Sequence, residues 1–230
     1  MEEDAISKEF DVWFSTIESY FDKANESIMI FDYVDHGKSI AFKEGDDSKA
    51  KIILKKRYDK YFEKLEQVIF SKNIVYKRIL MLPYIPKQMQ DDGELYHTTN
   101  ALSLETACKM LYEPTKDHIK RVIEKCNQLD QENKFVLYLL SPPLRNFSEV
   151  IIDKCYWINE IDFINAEGYS CPDTLFFNER NLSEDGVEIK KEMDLFENMK
   201  SSRCKIINYS EFLNIYYEAN PHSNDKNESK

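Results

Sequence analysis

The sequence predicts an α/β fold, a three-layer α/β/α arrangement with a mainly parallel or mixed central sheet. Short, nearly unbroken apolar runs recur at 27–31, 74–82 and 135–140, the composition of strands buried on both faces. Longer stretches between them carry apolar residues every three or four positions, which is the helical period. Alternation of the two patterns implies right-handed crossovers and helices on both sides of a sheet. Hydrophobic residues make up 42% of the chain and aromatics 13%, enough to fill a core. No repeat or linker-like composition interrupts the 230 residues. A single α/β domain over 1–218 is therefore expected, followed by a disordered polar tail over 219–230.

In chain order, Phe10, Trp13, Phe14, Ile17 and Phe21 outline one face of an amphipathic helix. The first strand follows, then a polar loop over 35–47. A long helix over 48–71 turns Tyr58, Tyr61, Phe62, Leu65 and Val68 inward. The second strand, 74–82, carries one charge in its apolar half, Arg78. Residues 83–100 show no period, and a connection of that length suits a lid or binding loop. Helices over 103–112 and 115–130 have Ser103 and Thr115 as expected N-caps. The third strand ends at Ser141-Pro142-Pro143. A pair of short strands follows over 149–153 and 156–163, turning at Lys154-Cys155. A strand at 174–177, a helix over 183–200, a strand at 205–208 and a helix over 210–217 complete the chain.

Charge and composition narrow the function. The net charge of −11 argues against nucleic acid as a partner, since nucleic-acid binders present a basic field. No apolar stretch reaches the roughly 20 residues that span a bilayer, and Met1-Glu2-Glu3-Asp4 is acidic where a secretory leader is basic. A cytoplasmic protein with no membrane contact is expected. The five cysteines lack the short paired spacing of a zinc site and read as reduced thiols. No metal and no cofactor is expected.

Several short patterns come close to catalytic motifs and miss. Residues 32–39 follow a strand and end in Gly37-Lys38-Ser39. A phosphate-cradling loop needs glycine where Asp32 stands, because its backbone amides must wrap the phosphate. An aspartyl phosphatase reading of Asp32 needs a second aspartate at Val34. His36/Lys38 and His118/Lys120 have the His-x-Lys element of phosphodiesterases, in which imidazole attacks phosphorus and ammonium holds its oxygens. The aspartate expected five residues later is Lys43 in one case and Lys125 in the other. His118 and Lys120 are expected on a helix surface.

A third stretch keeps the register without the chemistry: Asn146 for His, Ser148 for Lys, and Asp153 in place. With the strand 74–80 and the helix before it, this resembles a phospholipase D-like domain with a degenerate motif, over roughly 20–180. The resemblance implies the fold without the activity. Asn146 cannot attack phosphorus, and Ser148 carries no charge to hold a developing oxyanion.

Arg78, Arg145 and Arg180 stand near predicted strand ends, where open α/β sheets bind ligands. With Asp32, His36 and Lys38 they form the candidate ligand-binding set. The function expected is a non-catalytic regulatory module that binds a small anionic ligand or a protein partner, with a homodimer as a possible assembly. The alternative is an enzyme acting on a phosphate-containing substrate through Asp32, His36, Lys38 and Arg145.

Overall fold

The computed structural model describes residues 14–15, 17–34, 49–82, 103–141, 148–159 and 180–221. The expected loops at 35–47 and 83–100, the strand at 174–177 and all but the start of the tail lie outside them.

Among the described residues, seven strands form one mixed sheet: β1 (Ser27–Tyr33), β2 (Val75–Met81), β3 (Phe135–Leu140), β4 (Glu149–Ile152), β5 (Tyr156–Asn159), β6 (Arg180–Asn181) and β7 (Cys204–Ile206), in the order β6-β5-β4-β1-β2-β3-β7. β1, β2 and β3 are parallel. β4 to β6 add antiparallel on the β1 side and β7 antiparallel beyond β3. Helix α1 (Lys49–Ser71) joins β1 to β2, and α2 (Leu104–Met110) with α3 (Glu113–Gln128) join β2 to β3. Helices α4 (Leu182–Arg203) and α5 (Tyr209–Ala219) flank β7.

Strand residues alternate between two cores, as the two-residue period of a strand requires. Ile28, Ile30, Tyr76, Leu80, Leu137 and Leu139 face a large cluster with Phe62 and Leu65 of α1, Ile119 and Val122 of α3 and Phe212 of α5. Phe14, Ile17 and Phe21, from helical residues at 14–15 and 17–21, join the same cluster. Met29, Phe31, Ile79, Met81, Tyr138, Leu140 and Ile151 face the other way, where Phe196 of α4 packs among them. Phe196 meets Phe31 and Tyr138 edge-on, at 5.4 and 5.6 Å between ring centroids.

Among the described residues, four other than glycine take a left-handed backbone. Asn73 (φ 55) ends α1 and Asp130 (φ 52) ends α3. Ile74 N–H donates to the Ile69 carbonyl and Gln131 N–H to the Cys126 carbonyl, the six-to-one bond of a helix C-terminus closed by a left-handed residue. Asp153 (φ 51) and Lys154 (φ 57) make the β4–β5 turn, and Cys155 N–H donates to the Ile152 carbonyl across it. Two positive-φ residues in succession match the twist of a hairpin.

Ser103 caps α2 as expected, its Oγ accepting from Thr106 N–H. Thr115 does not cap α3, which starts two residues earlier behind Tyr112. Pro114 occupies the first turn, where a missing N–H costs nothing, and Thr115 is buried inside the helix.

Candidate functional site

The carboxyl end of β1 places Asp32 on the larger-core face of the sheet, beside β2. Register pairs Asp32 with Leu80 and Ile30 with Arg78, so the Arg78 side chain reaches along the shared face to the Asp32 carboxylate. The guanidinium meets it as a fork, Nε to Oδ2 at 2.5 Å and Nη2 to Oδ1 at 2.9 Å. Arg78 is 2% exposed and the Asp32 side chain 19%. Two parallel N–H···O bonds to a carboxylate are the strong, directional form of an ion pair.

The pair heads a longer chain of polar groups that runs through the core. Arg78 Nη1 donates to the Tyr76 hydroxyl at 2.8 Å. That hydroxyl lies 3.1 Å from His118 Nε2, and His118 Nδ1 lies 2.8 Å from Glu66 Oε1. Arg121 closes the chain, donating from Nε and Nη2 to Glu66 at 3.0 and 2.9 Å. Phe62 stacks on the His118 ring, centroids 4.4 Å apart and planes 13° apart. Four elements supply these groups: β1 gives Asp32, β2 gives Tyr76 and Arg78, α1 gives Glu66 and Phe62, and α3 gives His118 and Arg121.

Electrostatics follow from burial. Burial holds the His118 pKa down, to about 4, against the Glu66 hydrogen bond that pulls upward. Burial also raises the Tyr76 hydroxyl above its ordinary range. Burial alone would lower the Arg78 pKa, but the Asp32 charge outweighs it and the pKa rises. Burial would raise Glu66, yet hydrogen bonds from His118 and Arg121 carry it below the usual carboxylate value. At neutral pH the chain therefore holds Glu66 as a carboxylate, two guanidiniums, one neutral imidazole and one phenol.

Asp153 lies at the opposite end of β1. Its carboxylate accepts from the backbone amides of Asn25, Glu26 and Ser27 at 2.7, 2.8 and 2.8 Å. It thereby ties the β4–β5 turn to the start of β1. Ser148 sits near the Asp32 end, its Oγ accepting from Tyr33 N–H at 3.2 Å. Antiparallel pairing of β4 with β1 thus puts two of the degenerate-motif positions at opposite ends of the sheet.

The structure joins Asp32 to Arg78 and to none of the other expected site residues it describes. Arg180 begins β6, its backbone paired with Trp157. His36, Lys38, Arg145 and Asn146 lie outside the described residues. His118, expected on a helix surface, is fully buried. The inner stripe of α3 runs Thr115, His118/Ile119, Val122, Cys126, and Tyr76 and Glu66 together satisfy both ring nitrogens there. Lys120, also expected on the helix surface, lies on the side of α3 toward α5, over the rings of Tyr216 and Tyr217 at 5.2 Å from each, with its side chain 19% exposed. Among the described residues no group of three metal-ligating side chains converges, and the four described cysteines are free thiols. No helix among the described residues is long and apolar enough to cross a membrane.

No family model matches this chain, and no curated protein matches it. Among solved structures it is similar to phosphatidylserine synthase from Haemophilus influenzae Rd KW20, with a TM-score of 0.44 and 11% identity over 85% of this chain. The chain spans 37% of the length of that enzyme. Similarity at that level defines neither a shared fold nor a shared activity.

Proposed function

We propose that this chain is a non-catalytic α/β module whose binding surface is the carboxyl edge of its parallel strands. The observation that carries the reading is the Arg78–Asp32 fork. Phosphoryl chemistry needs a cation free to hold phosphate oxygens and a nucleophile or base free to react. Here the guanidinium and the carboxylate at that edge spend their directed bonds on each other. Asp153, the motif aspartate in register, is likewise held by three backbone amides. An anionic ligand at this edge would then be met by groups other than Arg78, and not by Arg180, whose place on β6 is level with Met29 near the start of β1. A protein partner is the other occupant the reading allows.

Incubation of the full chain with a chromogenic phosphodiester tests it. We expect product at the buffer rate, unchanged in Asp32→Asn. Time-dependent hydrolysis that disappears in Asp32→Asn would replace this reading with a phosphate-directed enzyme using Asp32.

A further inference from the structure

The buried chain from Asp32 to Arg121 has a fixed direction. Glu66 is a carboxylate and accepts only, so His118 Nδ1 carries the hydrogen that bonds it. A neutral imidazole then has Nε2 as acceptor, and the Tyr76 hydroxyl donates to it. The same hydroxyl oxygen accepts from Arg78 Nη1. Every hydrogen in the sequence Arg121, Glu66, His118, Tyr76, Arg78, Asp32 thus has one place to go. His118 and Tyr76 are fully buried, so no solvent stands in for a lost partner.

We propose that this chain is an acid-sensitive lock between β2 and the α1–α3 pair, released when His118 binds a proton at Nε2. The incoming proton turns Nε2 from acceptor to donor. The Tyr76 oxygen then faces two donors, His118 and Arg78, and its own hydrogen loses its acceptor. A new positive charge also appears in the core beside Arg78. From α1, Glu66 favours that charge; from β2, Arg78 opposes it with Asp32 of β1 partly neutralising Arg78; on α3 itself, Arg121 opposes it. Tyr76 of β2 faces the ring directly, and Phe62 of α1 covers it without charge. On α5, Tyr216 and Tyr217 are bonded to Asp117 and Glu124 on α3. Unfolding lets His118 take the proton freely, so acid favours the opened state. The contribution is whole above pH 6.5, the ordinary imidazole value, and is lost as pH falls toward about 4. Through Arg78, the same event is felt at Asp32 on the strand edge.

The test is nitrogen-15 histidine NMR on the full chain, titrated downward from neutral pH with melting temperature followed in parallel. At pH 7 we expect the His118 signals of a ring protonated at Nδ1 alone. The melting temperature should fall as pH drops below 6.5, before His118 has itself titrated in the folded protein. Arg121→Gln, a change at a partly exposed position, should move the His118 midpoint upward by removing an opposing cation. Asp32→Asn should move it downward by leaving Arg78 unneutralised. A His118 ring protonated at Nε2 at pH 7 overturns the proposal. So does a His118 midpoint near 6.5, or one that stays put in Arg121→Gln.

Discussion

At Arg78 the cost of a charge in the core and the remedy for it are both visible. A guanidinium 2% exposed is tolerable there because a carboxylate takes two of its donors and a phenol a third. Removing one partner of a buried ion pair strands the other, at about 3–5 kcal/mol. Asp32→Ala should destabilise by about that amount in urea unfolding, whereas Asp32→Leu combined with Arg78→Met should cost much less. Equal losses in the single and double variants would mean that the pair is not coupled as described. Asp153 supports the turn in a different way, through three amide bonds and tolerance of a left-handed backbone. Asp153→Ala should cost about 1–3 kcal/mol, and Asp153→Asn less, since asparagine accepts a hydrogen bond and visits that conformation readily.

At the scale of elements, period and apolar runs carried most of the fold into view. β1, β2 and β3, together with α1, match their expected spans to within a residue or two, because each buries an unbroken or regularly spaced apolar set. The short elements were less legible. β6 is two residues, too brief for any alternation, and its place comes from pairing with β5; β7, three residues, overlaps the strand expected at 205–208 but pairs with the distant β3. Helix α4 was legible as a helix, but not its duty to cover the smaller core largely through Phe196. That ring is fully buried among residues from β1, β2, β3 and β4. Phe196→Ala should cost about 3–5 kcal/mol, read as a drop in urea midpoint, and a change below about 1 kcal/mol would contradict the packing of α4 on that face.

For the molecule as a whole, the candidate site was half legible. Arg78 stood out because a charge inside an apolar strand is rare, and Asp32 because it opens the stretch behind a strand that ends in Gly37-Lys38-Ser39. Their pairing did not, because it depends on the register that sets Arg78 two residues behind the Asp32 partner. His118 was passed over although it shares the stripe of Thr115, Val122 and Cys126. A histidine on an apolar stripe signals a buried partner, and the partners, Tyr76 and Glu66, lie 42 and 52 residues away. Arg78 and Asp32 serve each other, and that pairing makes one demand of the molecule: Arg78 stays on Asp32 when an anion is offered. The Arg78 Nε–H signal in nitrogen-15 NMR of the intact chain, followed as inorganic phosphate is added to millimolar levels, tests that demand directly. A slowly exchanging signal that holds its position throughout is predicted. A signal that shifts saturably with phosphate would show Arg78 leaving Asp32 for the anion and would contradict the account.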